Sequence, residues 1–332
     1  MKKSTSLLLF NLIGIAALSI SCGTRSVRSI TTDELAKNLD NAQYVIIDVR
    51  NDSLYNGFKE PEAQRGGHIK GAVQFSRPWL DYIDDDFFES FAAGKGITKD
   101  KTIVLYSATN QLASYRVFWA LKWAGVADVR VMNGNLSTWT DAGLPTETKV
   151  NIPQPETEFG AVIPVNPSIN VSTPAEAKAQ QAEGLKLISN RAWDEYTGKI
   201  SGYDYIPGKG EPLGAIWGFA GTDSSNMADY YDPDGTLRNP QEIFALWEGQ
   251  NLHAGDKLAF YCGTGWRAGV SWFMTQLAGW EHTFVYDGGW NAWQMDSQFP
   301  VQKGAPKNMQ KPDSKNAFGV PGTKKTGASC KS

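Results

Sequence analysis

The chain has 332 residues, room for about two domains, and its 41% apolar residues with 12 tryptophans allow substantial cores. Its 32 Lys and Arg stand against 35 Asp and Glu, a formal net charge of −3. That balance gives no sign of the basic face or stripe of a nucleic-acid-binding protein, so no nucleic-acid partner is expected.

At the N-terminus, Lys2 and Lys3 precede an apolar stretch from Leu7 to Leu18 that is too short for an ordinary membrane span. This is the pattern of the n-region and h-region of an export signal. It ends in LSISCGT, and Cys22 is the first of three cysteines. The pattern resembles a bacterial lipoprotein signal over residues 1–22, in which that cysteine becomes the lipidated first residue of the mature chain. The expectation is an exported protein, lipid-anchored to a bacterial membrane and facing the periplasm or the exterior. Ordinary signal cleavage with an incidental cysteine is the other reading.

The next segments read as strands and helices in alternation. YVIID (Tyr44–Asp48), TIVLYS (Thr102–Ser107) and VRVM (Val129–Met132) are continuous apolar runs, as expected for buried parallel strands. Ser114–Trp123 reads as an amphipathic helix that ends near Gly125. From Glu147 to Asn170 the chain is rich in Pro and Asn and reads as a linker. A second series follows, with the strand-to-helix stretch LAFYCGTGWRAGVSWF (Leu258–Phe273) and a helix over Ala268–Ala278. From Val301 the composition turns to Lys, Pro, Gly, Ser and Asn, with seven lysines and one aspartate. Too little apolar surface remains there to offset ordering, so residues 301–332 are expected to form a basic, mobile tail.

The two series are copies of one unit. Ser107 aligns with Cys262, Gly125 with Gly279 and Trp139 with Trp293, and the serine-to-tryptophan and cysteine-to-tryptophan spans are 32 and 31 positions. Upstream, YVIIDVRNDSLYNGF with GGHIKGAVQFS corresponds to LKLISNRAWDEYTGK with KGEPLGAIWGF. The expected architecture is α/β: two domains over 28–148 and 171–300, joined by 149–170, each a mostly parallel sheet with helices on both faces. Ligands of such sheets lie beyond the carboxyl ends of the strands, where Cys262 should sit.

CGTGWR carries the chemistry. Two glycines between strand and helix let the backbone curl so that successive N–H groups form an anion-binding nest, and the following helix adds its positive end. A thiol in that nest, with Arg267 nearby, is expected to be a reactive thiolate. A buried cysteine acting as a small hydrophobe would leave the glycines and arginine without a purpose. Cys330, in the tail, has no evident reason to pair with Cys262.

VIIDVR, GHIKGAV, YCGTGWRA and VYDGGWNAW together resemble a tandem-domain rhodanese, a sulfurtransferase of the thiosulfate or 3-mercaptopyruvate type, from about Ile30 to Pro300. The resemblance implies a ping-pong reaction in which Cys262 takes a sulfane sulfur as a persulfide and passes it to cyanide or another thiol. It implies an inactive first domain, because Ser107 stands at the nucleophile position. Gly263, Thr264, Gly265, Trp266 and Arg267 would cradle the persulfide and the anionic donor, and Arg267 would face the donor's charge, which favours thiosulfate. Arg191 would point toward the site while also pairing with Glu195, and Arg238, in the insert DYYDPDGTLRNP, would help bind the donor at the mouth. That insert reads as a surface turn on Asp-Pro-Asp-Gly rather than a calcium loop. Ser189 departs from the family by replacing the aspartate seen at Asp48, a bracing position. No cofactor and no metal are expected, since His68, His253 and His282 are scattered. A monomer acting on a small anionic donor and a thiophilic acceptor is expected.

Two rivals remain open from sequence. A phosphatase or arsenate reductase of the related type would place its arginine six positions after the cysteine, whereas Arg267 is five after Cys262. A non-catalytic, surface-anchored binding module would require Cys262 to be silent.

Overall fold

The computed structural model describes residues 27–75 and 85–306. The export signal, Cys22, Cys330 and the tail from residue 307 lie outside the described residues. Among the described residues, no helix is long and apolar enough to cross a membrane.

The first domain contains β1 (Arg28–Ile30), α1 (Thr32–Ala36), β2 (Tyr44–Asp48), α2 (Asp52–Tyr55), β3 (His68–Ile69), β4 (Val73–Gln74), α3 (Asp85–Gly94), β5 (Thr102–Tyr106), α4 (Leu112–Ala124), β6 (Asp128–Met132), α5 (Leu136–Asp141) and β7 (Thr146–Glu147). The second repeats this order with β8 (Asn170–Val171), α6 (Pro174–Ala182), β9 (Lys186–Ser189), α7 (Trp193–Tyr196), β10 (Glu211–Pro212), β11 (Ile216–Trp217), α8 (Pro240–Glu248), β12 (Leu258–Tyr261), α9 (Ala268–Leu277), β13 (Thr283–Tyr286), α10 (Gly289–Gln294) and β14 (Val301–Gln302). The main sheets run β1-β6-β5-β2-β4 and β8-β13-β12-β9-β11, all parallel. Each domain adds a small antiparallel ladder, β3 with β7 and β10 with β14. The last of these corrects the sequence reading: Val301 and Gln302 belong to the second domain, because β14 is the counterpart of β7.

Alternation along the buried strands divides each core. Ile46, Val104 and Tyr106 pack with Leu35 of α1 and Trp139 of α5, while Ile47, Ile103 and Leu105 face α3 and α4. In the second domain Ala259 and Tyr261 pack with α6 and α10, and Leu258 and Phe260 face α8 and α9. The α3/α4 and α8/α9 sides merge into one apolar cluster across the domains. Its centre is α4 against α9, where Phe118 meets Phe273 edge-on at 4.7 Å. Gly269 permits this approach, since a Cβ there would lie 2.8 Å from the Tyr115 carbonyl oxygen. The repeat extends to single bonds: the indoles of Trp139 and Trp293 donate to the carbonyls of Pro145 and Pro300.

The linker is packed rather than free. Phe159 is fully buried in the shared cluster, and the Asn166 amide donates to the Trp123 carbonyl. His68 is structural, stacked on Tyr55 at 3.9 Å and bonded through Nδ1 to the Tyr55 carbonyl.

Candidate active site

Tyr261, the last residue of β12, is in register with Ser189, the last of β9, so the chain leaves the sheet edge at Cys262. The same register holds in the first domain, where Tyr106 pairs with Asp48 and Ser107 follows. Both exits open on one cavity of about 620 Å³ between the domains. Ser107, Arg50 and Asn110 line it from one side, and Cys262, Thr264 and Trp266 from the other. Cys262 is a free thiol, 2% exposed.

The orientation of the cysteine loop is set from behind. The Trp290 and Asn291 amides, in the first turn of α10, donate to the carbonyls of Cys262 (2.8 Å) and Gly263 (3.0 Å). A trans peptide points its N–H opposite its C=O, so the amides of Gly263 and Thr264 face away from α10. Those of Thr264, Gly265 and Arg267 have no acceptor among the described residues, which is the nest the sequence suggested. Gly289 makes the arrangement possible. It has φ 53°, and a Cβ there would lie 2.6 Å from both loop carbonyl oxygens. Gly289→Ala should therefore combine left-handed strain, on the order of 1–3 kcal/mol, with a direct clash against the loop. The expected result is a lower urea midpoint and at least about tenfold slower turnover, the scale for misplacing a reacting group. Denaturation and steady-state kinetics on the purified variant check both.

The first domain also reaches beneath the loop. Arg116 of α4 forms a short ion pair with Asp287, and a Cβ on Gly265 (φ 81°) would lie 2.7 Å from Arg116 Nη1 and from Asp287 Oδ1. Gly265 is thus needed for its backbone angle and for the space an interdomain ion pair occupies.

Arg267 differs from expectation. It lines the cavity but is 1% exposed, and its guanidinium is bound by Glu195 through two bonds of 2.8 and 3.0 Å and by the Asp223 carbonyl at 3.1 Å. Its Nη2 also donates to the Tyr203 hydroxyl in a short bond. A buried guanidinium must satisfy its donors and its charge internally, so Arg267 is not a free cation facing the cavity. This also disfavours phosphatase chemistry, which needs the arginine fork for the phosphate.

Arg191 is corrected further. It is fully buried and does not line the cavity. Its guanidinium is held by Glu211 at 2.8 Å and the carbonyls of Gly210 and Ser201, with Glu195 3.5 Å from Nε. Its counterpart Arg50 binds Asp48 and the Gly67 carbonyl, and Tyr106 donates to the same aspartate. The second domain keeps this design with the acid relocated. Ser189 replaces Asp48, Glu211 occupies the position of His68, and Tyr261 donates to Glu211. Burial outweighs Arg191 and pushes Glu211 up to about 7. The departure at Ser189 is therefore a swap that preserves the brace.

Arg238 does not line the cavity; it lies 3.7 Å from Glu242, one turn along α8. Its insert forms the expected turn, closed by the Gly235 amide on the Asp232 carbonyl, and rests on the first domain through Gln111 Nε2 to the Gly235 carbonyl (2.5 Å). In the first domain the degenerate loop faces an internal acid: Glu60 lies 3.4 Å from the Thr109 amide and 3.6 Å from Arg50.

Tyr203 was not marked by any sequence motif. Its ring packs over Gly263, where a Cβ would lie 2.4 Å from Cζ, and its oxygen accepts the Gly263 amide at 2.9 Å. One amide of the expected cradle is thus already taken.

The family model of the rhodanese-like domain matches residues 31–142 and 173–296. The chain is a tandem rhodanese. Its sequence is 39% identical over 245 residues to the thiosulfate sulfurtransferase YnjE of Escherichia coli strain K12, covering 71% of this chain and 56% of that one. The sulfur carrier protein TtuD of Thermus thermophilus is 28% identical over 83% of this chain and 96% of its own length. Among solved structures, YnjE superposes with a TM-score of 0.71 at 31% identity, covering 86% of this chain and 70% of that chain. A tyrosine-to-alanine variant of EanB, solved with ergothioneine covalently linked with a persulfide cysteine, has a TM-score of 0.64 at 26% identity, covering 85% and 100%. This rhodanese is a sulfurtransferase enzyme.

Proposed function

We propose that this rhodanese moves a sulfane sulfur from thiosulfate, or from 3-mercaptopyruvate, through a persulfide on Cys262 to cyanide or a thiol acceptor. The observation that carries the reading is a free Cys262 thiol on the cavity wall, at the start of a loop whose amides are turned away from α10. In the first half-reaction the Cys262 thiolate attacks the outer sulfur of thiosulfate. The Sγ–S bond forms, the S–S bond of the donor breaks, and its electron pair leaves with sulfite. In the second, the acceptor attacks that sulfur and Sγ departs as thiolate.

Thiosulfate is the preferred donor, supported by the names of the relatives and by the amide nest, an anion site that acts without a free cation. The charge argument from Arg267 does not support it, since Glu195 neutralises that residue. LSISCGT supports a lipid anchor at Cys22 on an exported enzyme. Kinetics with thiosulfate and 3-mercaptopyruvate side by side test the donor. A higher kcat/KM for thiosulfate is expected; turnover of 3-mercaptopyruvate alone would reverse the assignment.

A further inference from the structure

The hydroxyl of Tyr203 occupies an unusual position. Its oxygen accepts two hydrogen bonds, from the Gly263 amide and from Arg267 Nη2, which fills its acceptor sites. Burial raises its pKa, with Arg267 opposing and Cys262 and Glu195 reinforcing the shift, so the phenol keeps its proton. That proton can only be donated, and no acceptor for it is present among the described residues. Tyr203 lines the cavity together with Cys262, and it covers the amide that immediately follows the nucleophile.

We propose that the Tyr203 O–H is the hydrogen-bond donor to the transferred sulfur of the Cys262 persulfide. The inference rests on the persulfide reading above and adds to it a specific contact. The oxygen of Tyr203 takes the place a substrate atom would otherwise hold on the Gly263 amide and passes the polarity on through its own proton. Two donors feeding one hydroxyl, one of them charged, strengthen the bond that hydroxyl gives. The arrangement also gives Arg267 a role: held by Glu195, it acts on the sulfur through the phenol rather than by direct contact. No proton is transferred. The negative charge that resides on the outer sulfur after sulfite leaves is stabilised where it rests, and Sγ is the atom that departs when the acceptor attacks.

The test is a single-turnover series on the full chain, with Tyr203 replaced by phenylalanine, 3-fluorotyrosine and 3,5-difluorotyrosine, following persulfide formation from thiosulfate by mass spectrometry. Fluorination makes the hydroxyl a stronger donor and a weaker acceptor. Donation to sulfur predicts that the rate rises along the fluorinated series, while Tyr203→Phe falls by about 100-fold, the scale for one lost oxyanion-type donor. A purely structural role, accepting from Gly263 and Arg267, predicts the opposite slope. A rate that falls with fluorination, or a Tyr203→Phe rate within about twofold of wild type, overturns the proposal. The two readings fail separately: an unsubstituted enzyme that forms no persulfide on Cys262 removes the underlying function, whereas normal persulfide formation with a flat series removes Tyr203 alone.

Discussion

Cys262→Ser is expected to lose sulfur transfer entirely while remaining folded. The substitution exchanges one atom for a slightly smaller one at a position already against a cavity, so packing changes little. The chemistry changes completely, because a serine hydroxyl at neutral pH is a poor nucleophile and cannot store a transferable sulfur. A fall of more than about a thousandfold in cyanide-dependent thiocyanate production is predicted, with an unchanged circular dichroism spectrum. Retention of wild-type turnover would remove the enzyme assignment from this residue and leave the first domain's Ser107 loop as no substitute, since it has no thiol. Absence of turnover in the unsubstituted chain, by contrast, would revive the reading of it as a binding module.

The largest stability effect is expected from Glu195→Gln. This fully buried carboxylate holds Arg267 through two bonds, lies 3.5 Å from Arg191, and accepts the Ala192 amide at 2.8 Å. Gly202 wraps around it so closely that a Cβ there would lie 2.2 Å from Oε1. The amide variant keeps the shape and removes the charge. Arg191 retains Glu211, but Arg267 is left buried with neutral partners only. Breaking a buried pair from one side typically costs about 3–5 kcal/mol. The urea midpoint should fall accordingly. Turnover should fall with it even under conditions where the variant is folded, because Arg267 latches Tyr203 over the loop. A loss below about 0.5 kcal/mol would mean that the burial of Arg267 is not as drawn.

The repeat and the place of Cys262 at the sheet edge were legible in the sequence because both depend on local patterns. Continuous apolar runs mark β2, β5 and β12, a glycine ends each long helix, and a cysteine between a strand and two glycines has few structural explanations. The pairing of Arg191 with Glu195 was legible and is present at 3.5 Å, but the direction of both arginines was not, because their other partners are remote. Whether Arg191 points into a site or into a brace depends on Glu211, twenty residues on and brought alongside by β10. Nothing local to Arg267 marks the partner that neutralises it, because Glu195 sits 72 positions earlier. Tyr203 and Arg116 were invisible for the same reason: one reaches the loop from the connection after α7, the other from the first domain. Gly289 stood in the quoted motif VYDGGWNAW, yet only the contact with the loop carbonyls explains it. The swap of Asp48 and His68 for Ser189 and Glu211 looks like loss in an alignment of the two halves and like conservation of a contact in three dimensions.

Peptide mass spectrometry after incubation of the full chain with thiosulfate and no acceptor shows directly whether Cys262 carries the sulfur. One added sulfur atom is expected on the peptide containing Cys262, removed on addition of cyanide, with none on any other peptide. An unmodified Cys262 after that incubation, or an added sulfur found instead on Cys330, would contradict it.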